Sequence, residues 1–395
     1  MFFDRSRWQR ICGNLLTIPP SIRGNMSNLD INPAACRGRQ KRLLDVMAKQ
    51  SVDLAVVTQI EHVQYLAGPR FGAAFQPAAA LSADGKLYLV APNEPPPVHA
   101  ADEIVTYEAQ WKCTLRNDQR AASAEALGKI LQGKVNAKRV GVEGATFGPH
   151  MAKAIGGETV DLEPALYQLR RKKDPDELAR LEVAIAATGK MYAAAREMIK
   201  PGVAEIDVFN HLQSVAVAHF GEMLTGTGND YACGERGGPP RHGRVAQAGE
   251  LYLLDLGPAF RGYYADNCRA VAVTEPTDAQ LKAWKHICGV FEMVTSKIKP
   301  GVSAKSFFKE VHAYLNEPGL GDFDHHLGHG IGLFPHEAPH LNDSWNDTFE
   351  VGEVFACEPG LYAPELRAGI RLENDFLVTE TGVKLLSDFP LGLKV

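Results

Sequence analysis

The pentapeptide Ile199-Lys200-Pro201-Gly202-Val203 recurs as Ile298-Lys299-Pro300-Gly301-Val302, and this repetition decides the fold of the second half of the chain. A lone Lys-Pro-Gly would be a helix stop and nothing more, because proline cannot continue a helix and glycine accepts a positive φ. Here the flanks repeat as well. A helical run precedes each copy, over residues 176–198 and 278–297, and another follows, over 205–220 and 304–315. At the common offset Tyr192 matches Phe291, Phe209 matches Phe308 and Leu212 matches Val311. Two strand-like runs follow each unit and carry acidic residues: Asp255 and Asp266 in the first, Glu358 and Glu373 in the second. Two such units meeting face to face would bring two carboxylates from each side to one centre. The expected domain is α+β with an internal pseudo-two-fold repeat.

These acids sit in apolar company, in the runs LLDLGPAFRGYYADNCRA (253–270), CEPGLY (357–362) and IRLENDF (370–376). A fourth run, HHLGHGIG (325–332), contributes His329. A carboxylate among Leu, Ile, Val and Phe is costly unless something cancels its charge. Four carboxylates and one imidazole cannot cancel one another, since like charges brought together raise each other's pKa. Two divalent cations would supply the four missing positive charges. The expected metal set is therefore Asp255, Asp266, His329, Glu358 and Glu373. Oxygen donors with one nitrogen and no thiolate suit Mn²⁺ first, with Co²⁺ or Zn²⁺ as alternatives.

A length of 395 residues exceeds one ordinary core. The chain divides into an N-terminal extension (1–27), an α/β domain (28–165) and the repeat-bearing domain (166–395). Within the α/β part, a helix is expected over 36–50 and others around 119–132 and 148–155, alternating with the strands DLAVVT, KLYLVA, EIVTYE and RVGVEG. Asp174 is placed to cap a long helix that Pro175, Asp176 and Glu177 open. In the extension, Asp4 and the breaks at Gly13, Asn14 and Pro19 speak against a targeting peptide, and Met26 is an alternative start. A net charge of −5 without a basic stripe excludes nucleic acid as an expected partner. No apolar run is long enough for a membrane span. Seven scattered cysteines without a CxxC pair suggest reduced thiols and a cytoplasmic location.

Over about residues 170–390 the chain resembles the pita-bread metallopeptidases: methionine aminopeptidase, aminopeptidase P and prolidase. The resemblance rests on Asp255-Leu256-Gly257, Gly262-Tyr263-Tyr264-Ala265-Asp266 with Arg269, and Gly328-His329-Gly330-Ile331-Gly332. It continues through His336-Glu337-Ala338-Pro339, Glu358-Pro359-Gly360-Leu361-Tyr362 and Arg371-Leu372-Glu373-Asn374-Asp375. The α/β domain ahead of it is similar to that of the creatinase/prolidase-like branch, which methionine aminopeptidase lacks. Creatinase shares both domains but not the metal ligands. The resemblance implies that Asp266 and Glu373 bridge both ions, that Asp255 binds one, and that His329 and Glu358 bind the other. It makes Glu358 the proton shuttle and His336 the oxyanion partner. It also implies substrate contacts for His325 and His340, and for Arg371 either a substrate contact or a supporting position that orients Glu373 or its neighbours. Relatives carry a further substrate-facing histidine about 17 residues before the first metal Asp. Here that count lands on Gly238, so His242 is the expected substitute. The implied activity is hydrolysis of Xaa-Pro dipeptides, with aminopeptidase P action on longer peptides as the alternative and an inactive binding module after that. His325, His326, Ile331, Leu333, Arg367 and Arg371 are candidates for the proline pocket. The implied assembly is a homodimer in which each N-terminal domain reaches the other chain's metal centre.

Some signals mislead. His336-Glu337-Ala338-Pro339-His340 spells the HExxH of helical zinc sites, but Pro339 would break that helix at a cost of about 3 kcal/mol. The GHGIG glycines lack the Lys-Ser/Thr of a phosphate loop. Cys268 and Cys357, beside metal carboxylates, read as small packing residues. His211, His286 and His312 fall on expected helices and read as ordinary core or surface residues.

Overall fold

The computed structural model describes residues 29–228 and 230–394; the expected extension, with Met26, lies outside them. The α/β domain opens with α1 (Pro33–Gln50), where Asn32 accepts a hydrogen bond from the Ala35 amide and Pro33 fills the first turn. Its strands are β1 (Leu54–Val57), β2 (Ala78–Ser82), β3 (Leu87–Pro92), β4 (Glu103–Tyr107), β5 (Arg139–Val142) and β6 (Glu158–Asp161). Between them lie α2 (Ile60–Ala67), α3 (Gln119–Leu131) and α4 (Pro149–Ile155), and α5 (Glu163–Arg170) leads out across the expected boundary at 165. The strands form one six-stranded sheet in the order β4-β3-β2-β1-β5-β6. It is mixed, with β1 antiparallel to β2 and parallel to β5.

β2, β6 and α2 were not expected from the sequence. The β2 run AAALS is buried throughout, so it shows no alternation, and alanine is a poor strand former. β6 lies at the sheet edge and is largely exposed, so its ETVD looks like loop.

The repeat-bearing domain begins with α6 (Pro175–Met198), whose Asp174–Glu177 capping box realises the expected cap. α7 (Glu205–Phe220) leads to β7 (Asp230–Cys233), β8 (Leu251–Leu256) and β9 (Asn267–Ala272), an antiparallel sheet with β8 central. The second unit follows the same plan. α8 (Asp278–Lys297) and α9 (Ala304–Asn316) precede β10 (Gly328–Gly330), β11 (Glu337–Leu341), β12 (Val354–Cys357), β13 (Asn374–Val378) and β14 (Val383–Leu385), a sheet in the order β11-β10-β12-β13-β14. The duplicated corners match bond for bond. Gly202 and Gly301 both take left-handed φ, at 90° and 87°. The Gly202 amide donates to the Ala246 carbonyl and that of Gly301 to the Phe349 carbonyl, each at 2.8 Å. Tyr192, Leu212, Phe291 and Val311 are all buried in their respective cores.

Buried charge joins the two domains. Arg39 of α1 is 2% exposed and reaches Asp174 at 3.2 Å and Asp176 at 3.0 Å at the start of α6. Glu177 lies 3.6 Å from the same guanidinium, and Arg42 adds a contact to Asp174 at 2.8 Å.

Candidate metal centre

Each expected ligand sits at or beside a strand end facing the junction of the two sheets. Asp255 is the penultimate residue of β8 and Asp266 immediately precedes β9. Glu358 follows β12, Glu373 precedes β13 and His329 is central in β10. All five are buried, between 1% and 8% exposed. Their donor atoms fall into two groups that share one residue: Asp255, Asp266 and Glu373, and His329, Glu358 and Glu373, each group within 4.8 Å. His329 Nε2 lies 3.6 Å from Asp266 Oδ2 and 3.5 Å from Glu358 Oε1, so Asp266 also borders both groups.

The close approach of β10 to its neighbours depends on glycine. A Cβ on Gly328 would stand 2.0 Å from the Ala356 carbonyl oxygen, and one on Gly330 would stand 2.1 Å from that of Ala338. The GHG run is thus a packing device that seats His329 between β11 and β12. Its ring Nδ1 donates to the Gly330 carbonyl at 3.0 Å, which leaves the Nε2 lone pair facing the carboxylates. Burial and the neighbouring His336 hold the His329 pKa well below its ordinary value, so the ring is neutral.

The carboxylates are short of partners. Asp255 Oδ1 and Glu373 Oε2 are buried without a hydrogen bond from the protein. Burial first, and then like charge, pushes Asp266 and Glu373 well above the carboxylate range. Burial and Asp230 raise Asp255 against the pull of Arg371, and Glu358 is carried up to about 8. Groups so placed either stay protonated or take a cation. Orphaned carboxylate oxygens grouped around one neutral imidazole fit a pair of divalent ions.

Residues 179–380 match metallopeptidase family M24, and residues 39–172 match the creatinase/prolidase N-terminal domain. The chain belongs to metallopeptidase family M24. Its sequence is 32% identical over 235 residues to an uncharacterized peptidase of Staphylococcus epidermidis, a match covering 58% of this chain and 66% of that one. It is 30% identical over 266 residues to the uncharacterized peptidase YqhT of Bacillus subtilis, covering 65% and 74%. Among solved structures, the Xaa-Pro dipeptidase from Bacillus anthracis superposes with a TM-score of 0.78 at 23% identity, over 91% of this chain and 99% of that one. The prolidase from Pyrococcus furiosus gives 0.74 at 23%, over 88% and 99%. The X-Pro aminopeptidase from Thermotoga maritima gives 0.74 at 21%, over 90% and 99%. At these identities the likeness is one of fold.

In this M24 chain the ligands line a cavity of about 310 Å³ together with Asp230, Arg236, His325, His326, His336, Tyr362 and Arg371. His336 stacks on His329 with ring centroids 3.7 Å apart. His326 Nε2 is 3.3 Å from Glu358 Oε1. His325 donates or accepts at the Tyr362 hydroxyl, 3.0 Å away, and burial lowers its pKa to about 4.

Four expectations are corrected. Arg371 does not stand free for substrate, and of the supporting positions expected it takes the neighbour's, not that of Glu373: it pairs with Asp255 at 2.8 Å and with Asp230, clamping the first candidate ligand. Arg269 supports Glu373 instead, donating to its backbone carbonyl. His242 is exposed and lies outside the cavity lining, because Arg241 anchors that segment on Glu205. His340 pairs in register with His329, but Asp347 holds its Nδ1 at 2.9 Å and Trp345 covers its ring. Ile331 and Leu333 are core residues, and Arg367 donates to the Ala248 carbonyl, so none of these three lines the cavity. Cys268 and Cys357 are buried with pKa values pushed up by burial and belong to no donor group, as packing residues should. Pro339 lies within the strand β11, which disposes of the HExxH helix.

Sequence reasoning missed a buried relay behind His336. Glu337 pairs with Arg170 and with Lys173 at 3.1 Å, and accepts from the Phe334 amide at 3.0 Å. Arg170 continues to His62 at 3.0 Å, and His62 to Glu143 at 2.6 Å. The α/β domain thereby fixes the loop that carries His336. Asp230 and Asp375 were missed too. Asp230 faces Asp255 across β7 and β8, and buried Asp375 approaches the Asp266 amide at 3.5 Å.

Proposed function

We propose that this protein is a two-metal peptidase that hydrolyses Xaa-Pro dipeptides. The observation that carries the reading is the pair of buried donor groups sharing Glu373, with unpartnered carboxylate oxygens on Asp255 and Glu373. Asp255, Asp266 and Glu373 would hold one ion, and His329, Glu358, Glu373 and Asp266 the other. When bound, such ions polarise a carbonyl and activate water at neutral pH. Manganese suits the oxygen-rich set best, ahead of cobalt or zinc.

The chain's own residues supply the rest. Glu358 would take a proton from the attacking water and return it to the leaving imino nitrogen; its Oε1 lies 3.3 Å from His326 Nε2. Proline offers no N–H in the scissile amide, so recognition falls on the ring and on the carboxylate. His336 stands at the cavity wall, where its ring can donate to the developing oxyanion. Arg371 holds the Asp255 carboxyl in place at 2.8 Å. A cavity of about 310 Å³ is at the small end of ligand sites and suits a dipeptide better than a longer chain. The reading extends to a homodimer, as the family resemblance implies, and free cysteines support a cytoplasmic location. Among the described residues no helix is long and apolar enough to cross a membrane.

The test is a metal-reconstituted assay on Xaa-Pro dipeptides and Xaa-Pro-Xaa tripeptides. Efficient turnover of dipeptides alone supports the proposal. Preference for tripeptides would install the aminopeptidase P reading, and no turnover on any Xaa-Pro substrate would refute both.

A further inference from the structure

The cavity wall presents two cations with different commitments. Arg371 is buried and already paired with Asp230 and Asp255. Arg236, on the segment after β7, is 51% exposed and forms a two-pronged pair with Asp324, itself 52% exposed. One prong, Arg236 Nη1 to Asp324 Oδ2, measures 3.1 Å. Arg236 comes from the first repeat unit and lines the cavity, and Asp324 comes from the second, just ahead of the lining residue His325, so the pair links the two units beside the cavity.

We propose that Arg236 is the receptor for the free carboxylate of a short peptide, and that Asp324 occupies the guanidinium fork when no peptide is bound. This deepens the Xaa-Pro dipeptidase reading and rests on it.

Three features build the receptor. The Arg236 guanidinium lies 3.9 Å from the centre of the Tyr362 ring, which gives it a flat platform. The Tyr362 hydroxyl is fixed by His325 at 3.0 Å and Arg371 at 3.4 Å. The Arg236 carbonyl accepts from Arg371 Nη1 at 3.2 Å, so the loop is tied to the same side chain that holds Asp255. A guanidinium fork matches a carboxylate geometrically, and the present partner is a carboxylate. Exposed ion pairs are worth only about 0–1 kcal/mol, so one carboxylate can replace another at little cost. A dipeptide carries its carboxylate one residue beyond the scissile bond. A longer peptide has an uncharged amide there. Arg236 would therefore set the preference for chain length, a task that His340, held by Asp347, does not perform.

The experiment uses the full-length, manganese-loaded protein with alanyl-proline and alanyl-prolinamide as probes, comparing wild type, Arg236→Ala, Arg236→Lys and Asp324→Asn. Losing a charge-assisted contact should raise KM for the free acid about tenfold or more in Arg236→Ala, with a far smaller change for the amide. Arg236→Lys should recover part of the loss, and Asp324→Asn should lower KM for the acid by removing the resident competitor. An equal rise for both probes in Arg236→Ala, or no gain for the acid in Asp324→Asn, overturns the proposal. Calorimetric binding of both probes is measured in parallel. An inactive wild type would then count against the Xaa-Pro reading alone, while unchanged affinity of Arg236→Ala for alanyl-proline would dispose of the receptor.

Discussion

Replacing Glu337 by glutamine should destabilise the protein while leaving its metal content intact. Burial opposes ionisation of this side chain, but Arg170 and Lys173 outweigh it and hold the carboxyl down at about 2. Holding a carboxyl that far below its ordinary 4.5 is worth about 3 kcal/mol at neutral pH. The change to glutamine preserves shape, and leaves two buried cations without their counterion, a loss that commonly costs about 3–5 kcal/mol. With an unfolding entropy of roughly 2.1 cal/mol/K per residue over 395 residues, 3 kcal/mol corresponds to about 4 °C in melting temperature. The sign of the pH dependence is fixed. A depressed carboxyl contributes stability that is present above about pH 4.5 and lost as pH falls toward 2. The gap between wild type and Glu337→Gln is therefore widest near neutrality and narrows on acidification. Turnover should fall as well, because the Phe334 amide rests on Glu337 and carries the chain toward His336. Thermal melts at several pH values, with metal analysis alongside, provide the assay. A Glu337→Gln protein that melts with wild type at pH 7, or a gap that widens in acid, would refute the reasoning.

Chelation should abolish turnover and lower the melting temperature, with manganese restoring both. In the stripped protein, burial and then Asp255 and Asp230 hold Glu358 at about 8 despite Arg371, so its contribution is present below about 4.5 and lost as pH rises to 8. Melting of the stripped protein should thus fall with rising pH across that window; a flat profile contradicts it. Asp266→Asn should lose bound metal, whereas His336→Ala should keep it and lose about 100-fold or more in turnover; metal analysis and single-substrate kinetics separate the two. Light scattering in dilute solution should give twice the 43.0 kDa of one chain. Full activity at the single-chain mass would remove the dimer requirement.

The duplicated corner was legible because Pro and Gly mark the same helix end twice, and the structure repeats its hydrogen bonds. The clustering of the five candidate ligands was legible because a charge inside a strand such as LYLLDL demands a counter-charge close by. Supporting contacts were not. Which carboxylate Arg371 clamps depends on the pairing of β7 with β8, and nothing in the sequence states that Asp230 stands opposite Asp255. His242 seemed close enough in count, but Arg241 anchors the segment on Glu205 and His242 faces solvent. His62, Glu143, Arg170 and Glu337 lie far apart in sequence, so only the docking of the domains brings them into line. β2 escaped because alternation vanishes where both faces are buried.

The Arg39 cluster bears on how the two domains can be separated. Asp174, Asp176 and Glu177 open α6, and the guanidinium they share, Arg39, belongs to the α/β domain, although Asp176 also pairs with Arg180 of α6 at 3.3 Å. A truncation that begins at residue 174 would take Arg39 and Arg42 from Asp174 and Arg39 from Glu177, leave Asp176 with Arg180 alone, and strip Glu337 of Arg170 and Lys173 in the same cut. The catalytic half is therefore not a portable module. To stand alone or to be grafted behind a different leading domain, it must import a guanidinium where Arg39 now sits, or give up the acids that need it.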